Sequence, residues 1–121
     1  MAKKVVIIEK DEDILEVLSY ILIEAGYLVA CFQTNNIIIE QIAKEKPDLI
    51  LLDVINVSSE GTALCQAIKK DRVLEQVPVV ALSTHLKPQL IKEICADDVM
   101  KKPFDIDELL QVVDNHLQAP A

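Results

Sequence analysis

Four consecutive aliphatic residues, Leu49-Ile50-Leu51-Leu52, stop on a single carboxylate, Asp53. A run of that length without polar alternation is a strand covered on both faces, the pattern of a parallel sheet inside an α/β domain. In such sheets the ligand crevice lies beyond the carboxyl ends of the strands, so an acid at a strand's last residue points into it. Whether Asp53 belongs to a site then depends on what the other strands deliver to the same edge.

An earlier run, Val5-Val6-Ile7-Ile8, is β-branched, reads as a buried strand and ends on Glu9-Lys10-Asp11. From about Asp13, the spacing of Ile14, Leu18, Ile21 and Ala25, with Leu15 and Leu22 beside them, predicts an amphipathic helix that Gly26 can stop. Leu28 to Phe32 reads as a second strand. Thr34 or Asn35 can cap a helix through Ile38, Ile42 and Ala43 to about Glu45; Ile37-Ile38-Ile39 spans too wide an arc for one buried face. Pro47 leads into the Asp53 strand, and a third helix is expected from Ser59 or Glu60 to Lys70, burying Leu64 and Ile68. Val77 to Leu82 reads as a fourth strand with Pro78 at its entry, and it ends on Ser83-Thr84. Pro88 suits the first turn of a helix carrying Leu90, Ile91 and Ile94. A short strand, Val99 to Lys101, leads to Lys102-Pro103-Phe104. The last helix, from Asp105, uses Ile106, Leu109, Val113 and Leu117, and Gln118 to Ala121 should fray.

Strand then helix, five times with no break in composition, predicts one three-layer α/β domain over residues 1–121. Right-handed crossovers put every strand-to-helix junction on one edge of the sheet, where Glu9, Lys10, Asp53, Ser83 and Lys102 all fall. Aromatic residues make up only 3% of the chain, so its core must be aliphatic. A formal net charge of −8 argues against nucleic acid as a direct partner, since phosphate binding wants clustered Lys and Arg. Cys31, Cys65 and Cys95 are odd in number and lack a C-x-x-C pair, which suits reduced, buried thiols in a cytoplasmic protein. No signal peptide is visible after Lys3-Lys4, and no stretch is long enough to span a membrane. His85 and His116 are lone histidines without partner spacing and read as surface residues.

The carboxylate Glu9 after the first strand, P-D-L-I-L-L-D around Asp53, Glu60-Gly61 in the following loop, Ser83 after the fourth strand and Lys102-Pro103-Phe104 resemble the receiver domain of two-component response regulators. The resemblance spans about Lys4 to Leu117 without insertion. It implies a flavodoxin-like (βα)5 fold with strand order 2-1-3-4-5. It also implies that Asp53 is the nucleophile and phosphoacceptor, with Lys102 and the Ser83 hydroxyl meeting phosphoryl oxygens. It further implies a Mg²⁺ held by Asp53 and the Ile55 backbone carbonyl, with Glu9 acting through water. Phosphoryl transfer suits such a set, because it needs a nucleophile, positioning and cations more than further covalent chemistry.

Two positions depart from the family's pattern. Lys10 stands where the remaining direct metal ligand, an acid, is usual, so Mg²⁺ binding should be weakened or absent. Three arrangements are open: Lys10 turns to solvent while Asp11 or water serves as ligand, Lys10 pairs with Asp53 or Glu9 in the metal's stead, or the site is inactive. Val99 stands where Tyr or Phe is usual; it is stiff and has no ring to turn inward. The expected function is a phosphoaccepting receiver, not an enzyme in its own right. Its partners would be a histidine kinase or phosphotransfer protein and a downstream protein target, and the chain would be a monomer or weak homodimer. The rival expectation is a pseudo-receiver that binds proteins without phosphorylation.

Overall fold

The computed structural model describes residues 2–33, 39–54, 60–84 and 87–117. Its strands are β1 (Lys4–Ile8), β2 (Leu28–Phe32), β3 (Leu49–Asp53), β4 (Val79–Ser83) and β5 (Asp98–Lys101). They alternate with helices α1 (Glu12–Glu24), α2 (Ile39–Lys44), α3 (Glu60–Lys70), α4 (Pro88–Ile94) and α5 (Ile106–Leu117). All pairings are parallel and the order is β2-β1-β3-β4-β5, the doubly wound flavodoxin-like arrangement that the sequence implied.

The two-residue period of a strand explains why the central runs show no polar alternation. Leu49 and Leu51 pack with Val5, Ile7, Leu18, Leu22, Leu109 and Val113 on the face covered by α1 and α5. Ile50 and Leu52 pack with Val6, Ile8, Ile42, Leu64, Ile68 and Ile91 on the face covered by α2, α3 and α4. Every residue of β3 is buried, whereas the edge strand β2 leaves Leu28 exposed. Full burial of one such Leu or Ile stabilises the fold by about 1.5–3 kcal/mol.

Local chemistry sets the element ends. Asp11 Oδ1 accepts the N–H groups of Asp13 (2.9 Å) and Ile14 (3.1 Å), so α1 starts one residue before Asp13. At its other end Ala25 is the C-cap, Gly26 takes φ 98°, and the Tyr27 N–H reaches back to the Leu22 carbonyl. The buried face of α1 is therefore Leu18 and Leu22, with Ile14 and Ile21 half-buried and Ala25 exposed, not the four-residue stripe expected. Pro78 has no N–H for the ladder and the Val77 N–H turns back to Leu74, so β4 begins at Val79 rather than Val77. Asp105 caps α5 through the Glu108 N–H at 2.7 Å, which starts that helix at Ile106. The expected cap at Thr34 or Asn35, together with Ile37 and Ile38, lies outside the described residues.

Two expectations are corrected. Cys65 on α3 and Cys95 at the C-cap of α4 form a disulfide, their Cα atoms 5.8 Å apart, while Cys31 is free and exposed. Stacking α3 and α4 on the same face of the sheet brings together two residues 30 apart in sequence. His116 is half-buried with Nε2 3.4 Å from the Asp98 carboxylate, so it has a partner.

Candidate functional site

The sheet register builds the site. Val5 pairs with Leu49 and Ile7 with Leu51, so the same period carries on to set Glu9 and Asp53 side by side on the α1/α5 face, one residue beyond the apolar core. Both are buried, with Glu9 1% and Asp53 8% exposed. On the other side β4 ends on Ser83, also 1% exposed, whose carbonyl accepts the Lys102 N–H at 2.8 Å. That bond ties the segment after β5 to the end of β4.

Two buried carboxylates facing one another require a cation, and Lys102 supplies it. Its Nζ lies 2.9 Å from Glu9 Oε2 and 3.1 Å from Asp53 Oδ1. Burial raises the Glu9 carboxyl above its ordinary value; the Lys102 hydrogen bond works the other way, and the Asp53 charge adds to the rise. Burial alone would lower Lys102, but its hydrogen bonds to Glu9 and then Asp53 outweigh that and hold the ammonium above its ordinary value. The two directions agree physically, since one ammonium shared by two acids gains from both while Glu9 still faces burial and a like charge.

Gly61, in the first turn of α3, lies directly against Asp53. A Cβ there would run into the Asp53 carbonyl oxygen and come within 3.2 Å of the Val54 Cα. A side chain is thus excluded by close approach, which lets the start of α3 sit on the end of β3. The neighbouring Glu60 receives Lys10: its Oε2 is 3.5 Å from Lys10 Nζ, and the Glu9 side chain accepts the Asp11 N–H at 3.2 Å. Lys10 therefore pairs with neither Asp53 nor Glu9. It spans from the end of β1 to the start of α3. In the sequence Glu60 stands out as a motif residue beside Gly61 and as a possible start of the third helix, not as a partner of Lys10; as an acid opening α3 it was a findable one.

The Mg²⁺ implied by the resemblance can be tested against these donors. Glu9 and Asp53 converge, but on Lys102; Lys10 occupies the remaining ligand position with a positive charge; Asp11 is engaged as the cap of α1. Ile55 lies outside the described residues. Among the described residues no group of three or more His, Cys, Asp or Glu is placed to hold a metal ion. Mg²⁺ demands near-octahedral oxygen ligands, and this donor set does not fit it.

An apolar groove of about 530 Å³ is lined by residues of α1 and α5, and its lining includes Thr84 and the pocket's own Lys102. Ile14, Val17, Phe104 and Ile106 line it too, together with the exposed acids Asp13 and Asp105. Val17 and Ile106 are each more than half exposed, so core burial does not account for them. Val99 is half-buried and borders a second cleft of about 480 Å³ with Leu90, Lys87 and Lys92. Among the described residues, no helix is long and apolar enough to cross a membrane.

The family model described as the response regulator receiver domain matches residues 5–114. Among solved structures, the receiver domain of a signal transduction histidine kinase from Syntrophus aciditrophicus is 29% identical, with a TM-score of 0.84 over 97% of this chain and 91% of that one. The beryllofluoride-activated N-terminal receiver domain of RstA from Klebsiella pneumoniae is 28% identical, with a TM-score of 0.84 over 96% and 99%. NtrX from Brucella abortus is 26% identical, with a TM-score of 0.83, and there the match covers 98% of this chain but 26% of that one. The same unit therefore also occurs as part of longer chains.

Proposed function

Because this chain belongs to the response-regulator receiver domains of two-component signalling, we propose that it takes a phosphoryl group from a phosphohistidine donor onto Asp53 and signals through protein contacts. The observation that carries this is the buried Asp53 carboxylate at the end of β3, with Lys102 Nζ 3.1 Å from one of its oxygens. The other oxygen attacks phosphorus, and an O–P bond forms as the donor's P–N bond breaks. The electron pair stays on the leaving imidazole nitrogen, which takes a proton from water. Lys102 meets the arriving negative charge as a point cation, and Ser83, at the end of β4, offers a hydroxyl donor. The chain is acceptor and switch, with no substrate of its own to turn over.

A protein donor has to bring its phosphohistidine to the mouth of this pocket. The α1/α5 groove offers apolar contact area whose lining includes Thr84 and Lys102, and the exposed acids Asp13 and Asp105 in it favour a partner carrying Lys or Arg there. A downstream protein target completes the relay. Intact mass of wild type and Asp53→Asn after incubation with a small phosphodonor tests the reading: one phosphoryl adduct on wild type and none on Asp53→Asn is expected. An adduct that persists in Asp53→Asn would place the acceptor elsewhere.

Lys10 and Val99 favour a second reading, a pseudo-receiver that binds its target unphosphorylated. Under it, target affinity would be indifferent to Asp53→Asn, and dependence on that carboxylate would count against it.

A further inference from the structure

Receiver domains typically bind Mg²⁺ in their acidic pocket, and the pocket of this chain does not fit that ion. Its nearest substitute is already in place. Lys10 follows Glu9 at the end of β1, and its ammonium is held by Glu60, one residue before the glycine that abuts the Asp53 carbonyl. Lys10 thus stands one residue beyond the buried Glu9, on the strand edge that also carries Asp53, while Lys102 meets Asp53 from the segment after β5. The pair with Glu60 is exposed on both partners, 47% and 68%, so it is weak and readily exchanged for a better anion. A phosphoryl group is such an anion, carrying nearly two negative charges and three acceptor oxygens against the single charge of Glu60.

We propose that Lys10 leaves Glu60 for the incoming phosphoryl group and is its second cation, so that transfer to Asp53 in this chain proceeds without a divalent metal. This rests on Asp53 being the phosphoacceptor. As the O–P bond to Asp53 forms and the donor's P–N bond breaks, Lys10 and Lys102 contact different phosphoryl oxygens from two sides. Two ammonium groups then balance the charge that a metal balances in other receivers, while Glu60 turns to solvent.

The experiment is the initial rate of Asp53 phosphorylation by phosphoramidate, followed by intact mass in EDTA and in Mg²⁺, with melting temperature in Mg²⁺ alone as a second readout. Wild type is expected to react at the same rate in both, and Mg²⁺ should not move its melting temperature. Lys10→Met should slow the reaction by about 100-fold, as for loss of one preorganised charge donor, and Lys10→Arg should restore most of the rate. Lys10→Asp should react only with Mg²⁺ present and should gain a Mg²⁺-dependent rise in melting temperature. A wild-type adduct that needs Mg²⁺, or a Lys10→Met rate equal to wild type, would overturn the proposal while leaving Asp53 as acceptor. An adduct on Lys10→Asp but none on wild type would also overturn it, because Lys10 would then be what disables the site. No adduct on any variant in either condition would remove the phosphoacceptor reading and this inference with it.

Discussion

Replacing Lys102 by Met keeps the length of the side chain and removes the charge, which makes it the most direct test of the site's electrostatics. In the folded protein Nζ lies 2.9 Å from Glu9 and 3.1 Å from Asp53. At an effective dielectric of about 20, each contact is worth about 5 kcal/mol of attraction before desolvation, and the two carboxylates left behind would repel one another. The loss has a ceiling, because the variant can instead protonate Glu9, whose carboxyl is already raised by burial. From the ordinary carboxylate value, that escape costs about 4 kcal/mol at pH 7 and about 1 kcal/mol at pH 5. Lys102→Met should therefore lose about 3–4 kcal/mol at pH 7, within the range for breaking a buried pair, and much less at pH 5. For a chain of 121 residues this is a fall in Tm of about 10–15 °C at neutral pH. Urea unfolding at the two pH values measures it directly, and adding Glu9→Gln should remove most of the neutral-pH loss. A loss under about 1 kcal/mol at pH 7, or one that does not shrink at pH 5, would refute the claim that Lys102 holds two ionised acids.

Gly61→Ala should destabilise the fold by about 1–3 kcal/mol in urea and slow phosphorylation, because the new Cβ must push the start of α3 off the Asp53 carbonyl. Wild-type Glu9 has a raised folded pKa, so its contribution to stability should fall as pH rises from the ordinary carboxylate value through the folded one; Glu9→Gln should flatten that slope in a series of urea midpoints. The Lys102 contribution, also from a raised pKa, should be complete below the ordinary lysine value and disappear only as pH rises through the higher folded one. Reduction with dithiothreitol, or Cys65→Ser with Cys95→Ser, should lower stability by about 3–4 kcal/mol, the chain-entropy value for a 30-residue loop, read as a drop in Tm.

How far the site could be read from the sequence depends on how many residues each feature involves. The sheet and its functional edge were legible because every strand restates the same information: an apolar run ends on a polar residue, and crossover handedness sends all such ends to one place. The two-residue period is enough to put Glu9 beside Asp53 once β1 and β3 pair in register. Pairwise events were not legible in that way. The disulfide depends on the packing of α3 against α4, which leaves no periodic trace, and the reading of reduced thiols failed there. Lys10 shows the difference most clearly. Its identity signalled a departure from the usual acid, but sequence alone left it free to face solvent, Asp53 or Glu9; the structure turns it outward, where it stays half exposed and pairs with Glu60 rather than with Asp53 or Glu9. What decided the matter was the close approach that Gly61 permits: by seating α3 on the end of β3, it puts the acid Glu60 within reach of Lys10. A glycine seated against Asp53 thus bears on the partner of a lysine at the end of another strand. Among the described residues Lys102 is the cation between the two buried acids, so a positive charge of the chain itself meets Asp53 before any phosphoryl group arrives.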